Sequence, residues 1–199
     1  ISRKGVKILA ADEAGEFYAR QSLEQMIRAA KESNGQVSLQ CQIIEDYPRF
    51  PYRGLHIDVS RHFYSIDFLK KQVDAMAMFK MNRLHLHLTD AAGWRMEIES
   101  WPRLTEYAAW RPEANWKAWW NGDRTYVEEG TPGAYGGYYT KEELKSLVEY
   151  AAERHITVIP EIEMPGHSEE VLAAYPEVGC GGNPRSHSDF CIGKELPFK

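Results

Sequence analysis

Two strand-like segments, in which leucine alternates with an ionisable residue, constrain the fold of this chain more than any other feature. In residues 55–60, LHIDVS, and in residues 84–89, LHLHLT, apolar and polar side chains alternate almost strictly. Successive side chains of a strand point to opposite faces. Each segment therefore predicts a strand with one apolar face and one ionisable face. A third apolar run, residues 155–161, leads into the stretch PEIEMPGH at residues 160–167.

Helical patterns separate these three strands. Residues 67–80 follow the capping residue Ser65, and a second helix begins at Thr140 with the capping box TKEE, residues 140–143. The alternation of strands and helices predicts right-handed crossovers and a parallel sheet. Central strands of an open, doubly covered sheet are apolar on both faces. The ionisable face therefore favours a barrel whose leucines face the helices and whose polar groups face the lumen.

The length of the chain limits how much of a barrel it can form. A complete (β/α)8 TIM barrel takes about 250 residues, and only three βα units fit between Arg53 and Lys199. The expected fold class is therefore α/β, the first three βα units of a TIM barrel. Residues 1–47 predict a strand at 6–10, a helix at 13–31 and a strand at 37–44, which together indicate the C-terminal part of a small α+β domain. Residues 48–199 are assigned to the N-terminal part of the barrel.

Charge and hydropathy exclude two classes of partner. The net charge is -5 and there is no basic run, which argues against nucleic acid. No stretch approaches the roughly 18 apolar residues of a membrane span. Of the three cysteines, Cys41 lies in an alternating run and is expected in the core. Cys180 and Cys191 are either a short disulfide loop, as an oxidising compartment would allow, or two free thiols.

All six tryptophans fall between positions 94 and 120. Such a concentration favours a surface that stacks flat apolar faces, sugar rings among them. The same aromatic residues are equally suited to cover the rim of a barrel. Trp94 and residues 116–120 are the candidates for a border around a bound sugar.

Polar residues gather just after the three predicted strands, where barrel enzymes carry their working groups. These residues are Arg61, Asp90, Glu163 and His167. Their shared position predicts that they face one pocket. By their alternation Glu161, His85 and His87 also point inward, and we interpret them as polar residues that pack the lumen.

Several motifs in sequence order resemble a known family. They are YRGLHIDVSRHF (52–63), FKMNRLHLHLTDAAGWRMEI (79–98), GGYYTKEELKSLVEYAAERHITVIPEIEMPGH (136–167) and AAYPEVGC (173–180). Together they resemble the family 20 glycoside hydrolases, the β-N-acetylhexosaminidases. The resemblance runs from about residue 48 to 180, and residues 1–47 are similar to the end of the small domain that precedes the catalytic barrel in that family.

The resemblance implies roles for individual residues. Arg61 matches the arginine that binds the hydroxyls at carbons 3 and 4 of the terminal sugar, for which a guanidinium fork is well suited. Asp90 and His167 match a network that positions the general acid. Glu163 stands where many members carry Asp, and it is assigned to the same network. Trp94 is assigned to substrate binding. Without the resemblance, Asp90 would be interpreted as a turn residue and His167 as a structural histidine.

The implied activity is removal of terminal non-reducing β-linked N-acetylhexosamine by a substrate-assisted, retaining mechanism, an exception to the usual two-carboxylate scheme. In the family the catalytic Asp-Glu pair follows the fourth strand, so this chain is expected to lack it and to be inactive alone. The expected ligand is an N-acetylhexosamine-terminated glycan or a chito-oligosaccharide, with no cofactor and no metal. The family's habit indicates a periplasmic or secreted protein.

Two other interpretations fit parts of the sequence. The pair His85 and His87, with Asp58, Glu161 and His167, could ligate Zn²⁺ in a metal-dependent barrel hydrolase. Alternatively, the chain is a non-catalytic sugar-binding fragment. An HxH pair alone is a weak motif, and the glycosidase interpretation accounts for more of the sequence.

Overall fold

The computed structural model describes residues 1–30, 32–33, 36–181 and 188–196. The elements, in chain order, are α1 (Glu13–Ala29), β1 (Glu32–Ser33), β2 (Gln36–Val37), β3 (Gly54–Asp58), α2 (Ile66–Met78), β4 (Arg83–His87), β5 (Thr89–Asp90), β6 (Gly93–Trp94), α3 (Arg103–Glu106), β7 (Trp110–Arg111), α4 (Trp116–Asn121), β8 (Tyr135–Gly136), α5 (Lys141–Ala152), β9 (Thr157–Glu161) and α6 (Glu169–Ala174). One turn of 3₁₀ helix, Pro176–Val178, follows α6.

The three predicted strands form one parallel sheet. Their order is β3-β4-β9, with Leu55 opposite Leu84 and Leu84 opposite Val158. Helices α2 and α5 make the two crossovers and pack against each other. Three short antiparallel ladders, β1-β2, β5-β6 and β7-β8, lie outside this sheet. The parallel βαβαβ arrangement predicted from the sequence is therefore confirmed.

The alternation along β4 separates the core from the site. Leu84, Leu86 and Leu88 are at most 1% exposed and belong to the main apolar cluster, which includes residues of α2 and α5. His85 and His87 alternate with these leucines and lie on the opposite face, because neighbouring side chains of a strand point in opposite directions. One face of the sheet thus carries the core, and the other carries ionisable groups.

Both crossover helices begin at side-chain caps. The Ser65 hydroxyl accepts the N–H of Phe68 at 3.3 Å. At α5 the Thr140 hydroxyl accepts the N–H of Glu143 at 3.1 Å, and the Glu143 carboxylate accepts the N–H of Thr140 at 2.9 Å. These bonds satisfy donors that have no partner inside the helix. The capping box predicted at residues 140–143 is confirmed.

The first 47 residues differ from their predicted structure. Residues 6–10 form no strand, and the segment predicted as a strand at 37–44 contributes only Val37, as part of β2. The expected core position of Cys41 is wrong, because this side chain is exposed. No residue of α1, which is described throughout, is buried, and Lys31, its predicted end, lies outside the described residues. Alternating apolar residues form a stable strand only where a sheet or helix covers them, and here nothing described does so.

Cys180 and Cys191 form a disulfide with a Cα–Cα distance of 4.6 Å. The bond joins the segment after the 3₁₀ turn to the described residues at 188–196, and it decides between the two alternatives that the sequence left open. Among the described residues, no helix is both long and apolar enough to cross a membrane.

The core face of β4 predicts a large effect of a single truncation. Leu86→Ala is expected to lower the free energy of unfolding by about 2–5 kcal/mol, because it removes buried methyl groups and leaves a cavity. Urea unfolding followed by circular dichroism measures the change. Leu9→Ala is the matched control, since Leu9 is 82% exposed. Equal effects of the two substitutions would contradict this assignment of the core.

Candidate active site

Asp90 is the centre of the polar cluster at the carboxyl ends of the strands. It is 4% exposed and ends β5, where the β5-β6 hairpin turns. Its Oδ2 lies 2.5 Å from Nη2 of Arg61, 2.9 Å from Nε2 of His87 and 3.5 Å from Nδ1 of His167. A buried carboxylate needs compensating donors, and these three side chains, from three strand exits, supply them.

The side chain of Arg61 is held by two carboxylates. Besides Asp90, its Nη1 donates to Oδ2 of Asp58 at 2.8 Å. Oδ1 of Asp58 accepts the backbone N–H groups of Ser60 and Arg61, both at 3.0 Å, a local turn that aspartate commonly forms. The Arg61 side chain nevertheless remains 32% exposed. Since a guanidinium has five N–H donors, others remain available for a ligand.

His87 joins Asp90 to Glu161. Its Nε2 faces Asp90, and its Nδ1 lies 2.6 Å from Oε1 of Glu161. The hydrogen bond to Asp90 raises the pKa of His87 to about 9, against the lowering effect of burial and with help from Glu161. Burial favours a higher pKa for Glu161, but hydrogen bonds with His87 and Glu163 outweigh it and lower this pKa to about 2. His87 is therefore an imidazolium at neutral pH, between two carboxylates.

Two histidines lie close enough to Glu161 to raise the question of a metal site. One ligand atom each of His56, His87 and Glu161 lies within 4.8 Å of the others. His87, however, gives both ring nitrogens to carboxylates, and a protonated imidazole has no free lone pair for a metal. Glu161 also pairs with His85 and, at 3.5 Å, with His56. The cluster is thus a network of ion pairs and hydrogen bonds in which both ring nitrogens of His87 already face carboxylates.

The loop after β9 carries Glu163 and His167. The backbone N–H of Glu163 donates to the Thr89 hydroxyl at 2.8 Å, which fixes this loop against β5. His167 has a φ of 51°, in the left-handed region, and its Nδ1 lies 3.9 Å from Oε2 of Glu163 as well as near Asp90. Its side chain remains 59% exposed. The structure therefore brings together four of the predicted residues: Arg61, Asp90, Glu163 and His167.

Trp94 lies apart from this group. It pairs with Thr89 across the β5-β6 hairpin, but its side chain is buried in an apolar cluster that contains Leu104 and Val171. The indole N–H donates to the carbonyl of Met96. Its role in substrate binding stays a prediction, and its contacts are those of a core residue that supports the hairpin.

Two fully buried arginines, Arg95 and Arg111, support the loops around the site, and the sequence analysis did not select either of them. Arg95 and Arg111 are both 0% exposed, and among the described residues neither forms a salt bridge with a carboxylate. Instead they donate to backbone carbonyl groups. Arg95 bonds those of Val59, Ser60, Ala92, Ala109 and Gly137 at 2.6–3.3 Å, and Arg111 bonds those of Arg61, Ala92, Glu113 and Ala114 at 2.7–3.1 Å.

These hydrogen bonds fix the backbone of Ser60 and Arg61, from which the Arg61 side chain extends. Burial lowers the pKa of Arg95 to about 10, with repulsion from Arg111 as the next cause, so Arg95 is still charged at neutral pH. Gly93 makes room for it: Gly93 has a φ of 155°, and a Cβ there would overlap the Arg95 guanidinium. The one hint in the sequence is an arginine placed directly after Gly-Trp at the exit of a buried strand.

Comparisons with known proteins agree with this geometry. The family model described as "Glycosyl hydrolase family 20, catalytic domain" matches residues 50–196, and "Glycosyl hydrolase family 20, domain 2" matches residues 1–47. The chain belongs to glycosyl hydrolase family 20. The parallel sheet is therefore part of the family's TIM barrel, preceded by part of a small domain. The boundary between residues 47 and 48 stays a prediction.

Individual relatives support the assignment. A "Beta-hexosaminidase" of Porphyromonas gingivalis is 42% identical over 209 residues, which cover 99% of this chain and 25% of the relative. The solved structure of a β-N-acetylhexosaminidase from Bacteroides fragilis is 39% identical with a TM-score of 0.76, and covers 95% of this chain and 35% of that one. A family 20 exo-β-N-acetylglucosaminidase from Vibrio harveyi, in complex with N-acetylglucosamine, is 36% identical with a TM-score of 0.75, and the match covers 89% of this chain and 27% of that one. The chain thus spans about a quarter to a third of the length of these relatives.

The buried guanidinium of Arg95 predicts a destabilised variant. Arg95→Lys keeps the charge but replaces a planar fork with a single ammonium, so at least two of the five carbonyl groups lose their donors. We expect the free energy of unfolding to fall by about 2–4 kcal/mol. Urea unfolding measures it. Arg20→Lys is the matched control, because the Arg20 side chain is 68% exposed. A change within about 0.5 kcal/mol for Arg95→Lys, the usual range for surface substitutions, would refute the supporting role.

The network around His87 predicts a characteristic titration. Because its folded pKa is raised from 6.5 to about 9, the stability that His87 contributes is fully present below pH 6.5 and is lost as the pH rises through about 9. The loss amounts to about 3 kcal/mol for such a shift. Titration of the histidine ring protons by NMR, with His87→Gln to assign the signal, should give a midpoint near 9. A midpoint near 6.5 would show that the two carboxylates do not hold the proton.

Proposed function

We propose that this chain carries the sugar-recognition side of a β-N-acetylhexosaminidase active site. The enzyme removes terminal, non-reducing β-linked N-acetylhexosamine with retention of configuration. One observation carries the proposal: in a chain of family 20, the buried Asp90 carboxylate joins Arg61 and His167, from two different strand exits. The names of the relatives, hexosaminidases among them, support the same activity.

Arg61 binds the terminal sugar in this proposal. Ion pairs with Asp58 and Asp90 hold the Arg61 guanidinium, so the orientation of this side chain is set before a ligand binds. The remaining N–H donors then meet two adjacent hydroxyl oxygens, at carbons 3 and 4, in the fixed geometry of a fork. Because the arginine is already ordered, binding loses little side-chain entropy.

Asp90, His167 and Glu163 position the group that protonates the leaving oxygen. Nδ1 of His167 lies 3.5 Å from Oδ2 of Asp90, so this carboxylate faces one nitrogen of the ring. A carboxylate partner selects the tautomer and the orientation of a histidine. Glu163 lies on the other side of the same nitrogen, and its backbone is fixed through Thr89. These residues act through the general acid and do not replace it.

The chemistry itself uses the substrate's acetamido oxygen, which attacks the anomeric carbon to give an oxazolinium intermediate. In the family the Asp that orients the acetamido group and the Glu that protonates the leaving oxygen follow the fourth strand of the barrel. The described residues hold three strands of the parallel sheet. We therefore expect hydrolysis from the longest polypeptide that contains residues 1–199, and none from these residues alone.

The proposed activity also indicates a class of substrate and a cellular compartment. We propose an N-acetylhexosamine-terminated glycan or a chito-oligosaccharide as the ligand. The exposed parts of Arg61 and His167 suit the hydroxyl groups of such a sugar. A periplasmic or secreted location is proposed as well, and the Cys180–Cys191 disulfide supports it, since such bonds persist in oxidising compartments.

The proposal predicts hydrolysis of a chromogenic N-acetyl-β-glucosaminide, and a large loss in Arg61→Lys. The substitution removes the fork that would contact two hydroxyls, so kcat/KM should fall about 100- to 1,000-fold, as expected for two charged hydrogen bonds. Steady-state kinetics on the longest polypeptide that contains residues 1–199 measures it.

Arg28→Lys is the matched control, because Arg28 lies on α1 with a side chain 67% exposed. Its kcat/KM should stay close to that of the parent protein. The absence of any turnover by a folded, complete barrel would refute the proposed function. Turnover that Arg61→Lys leaves unchanged would refute only the role of Arg61.

A further inference from the structure

Helix α4 places two indole rings at the protein surface. Trp116 and Trp120 are one helical turn apart, a spacing at which side chains are neighbours. Each is 38% exposed, and their ring centroids are 6.3 Å apart. The third tryptophan of the helix, Trp119, is 0% exposed. A six-residue helix thus buries one indole and leaves two exposed, and the planes of these two rings are inclined at 62° to each other.

The start of α4 lies next to the backbone of Arg61. Nη2 of Arg111 donates to the carbonyl of Arg61 at 2.8 Å and to the carbonyl of Ala114 at 3.1 Å. Asn115, the capping residue of α4, immediately follows Ala114 and accepts the N–H of Lys117 at 2.9 Å. One guanidinium nitrogen therefore joins the first turn of the helix to the arginine of the site.

The middle of α4 is packed onto the residues that follow Asp90. Trp119 and Tyr126 form an apolar cluster with Ala91 and Ala92. The Tyr126 hydroxyl donates to the carbonyl of Ala91, and the Trp119 indole N–H donates to the carbonyl of Thr125 at 2.8 Å. The burial of Trp119 therefore holds α4 against the two residues that follow Asp90.

The end of α4 is tied to the loop that carries His167. The guanidinium carbon of Arg124 lies 3.8 Å from the ring centroid of Trp120, and its Nε donates to the Trp120 carbonyl at 2.9 Å. Nη1 of the same arginine pairs with Glu169 at 3.4 Å, two residues beyond His167. The residue before the cap of α4 is thus connected to Arg61, and the end of α4 is connected through Arg124 to the start of α6, just after His167.

We propose that Trp116 and Trp120, the tryptophan platform, bind the sugar units on the leaving-group side of the scissile bond. This inference rests on the proposed function, because an enzyme that removes one terminal sugar must leave the remainder of the glycan at the rim of its pocket. The C–H face of a pyranose is flat and apolar while its edge carries hydroxyls, so it matches an exposed indole face of Trp116 and the face of Trp120 opposite Arg124. Arg124 and Glu169 compensate each other, and the platform therefore favours a neutral glycan.

The platform predicts a loss that depends on the leaving group. The variants are Trp116→Ala, Trp120→Ala and both together, in the longest polypeptide that contains residues 1–199. The substrates are the N-acetylated chitin tetramer, which has sugars on the leaving-group side, and N-acetyl-β-glucosaminyl fluoride, which has none. In the double variant kcat/KM on the tetramer should fall roughly 5- to 100-fold, the range for two aromatic contacts. Turnover of the fluoride should stay within about twofold, since no platform contact is lost.

The conservative variants and a distant control separate binding from folding. Trp116→Phe and Trp120→Phe keep an aromatic face and should recover most of the activity on the tetramer. Phe79→Ala is the matched control. This exposed aromatic residue is the C-cap of α2, shortly before β4 begins, and therefore lies at the opposite end of the strands from the site. Its replacement should leave kcat/KM on both substrates unchanged.

Each contrary result has a distinct meaning. An equal fall of kcat/KM on both substrates, or no fall of kcat/KM on the tetramer, would overturn the platform. A double variant whose only change is its oligomeric state in size-exclusion chromatography would overturn it as well. If the parent protein hydrolyses neither substrate, the proposed function fails. In that case a binding measurement tests the platform. When the tetramer is added, the change in intrinsic tryptophan fluorescence should saturate for the parent protein and should not saturate for the double variant.

Discussion

The compensation of one buried carboxylate, Asp90, is the constraint around which the site is arranged. Its Oδ2 draws Arg61, His87 and His167 to one point from three different strand exits. His87 is three residues from Asp90 along the chain, but Arg61 and His167 come from distant segments and reach Asp90 only because the three strands pair. The protonated His87 extends the network inward to Glu161. The result is an arrangement of charges that is already ordered without a ligand, and under the proposed function this order keeps reorganisation on sugar binding low.

A second layer of buried charge supports the first. Arg95 and Arg111 bind backbone carbonyl groups where most buried arginines bind carboxylates, and in doing so they tie the turn at Ser60 and Arg61 to the loops after β4. Removing two charges from water is costly unless every donor is satisfied. The same guanidinium of Arg111 also bonds the carbonyl just before α4, so Arg61, the proposed sugar-binding residue, and the proposed tryptophan platform share one support.

The sequence predicted the parallel sheet well. Alternation and capping are local signals, and the burial of one face of the sheet in the core stabilises the same strands and helices that these signals indicate. The alternating run at residues 84–89 indicated both a strand and its buried face, and Thr140 indicated the first turn of α5. The same kind of signal failed at residues 37–44, where the alternation is present but no sheet covers it and Cys41 remains exposed. The strand-end rule selected Arg61, Asp90, Glu163 and His167. It missed Arg111, whose importance comes from partners up to 50 residues away.

What the sequence determined by itself is the order of the three parallel strands and their two crossover helices, the buried face of β4 and the family, because all three are carried by periodicities and motifs along the chain. Only the tertiary structure decided the protonation of His87, the carbonyl partners of the buried arginines and the division of the tryptophans between core and surface. These properties depend on which atoms lie within a few ångströms after folding. Asp90 and Glu161 meet on His87 although 71 residues separate them in the chain, and no local pattern records such a meeting.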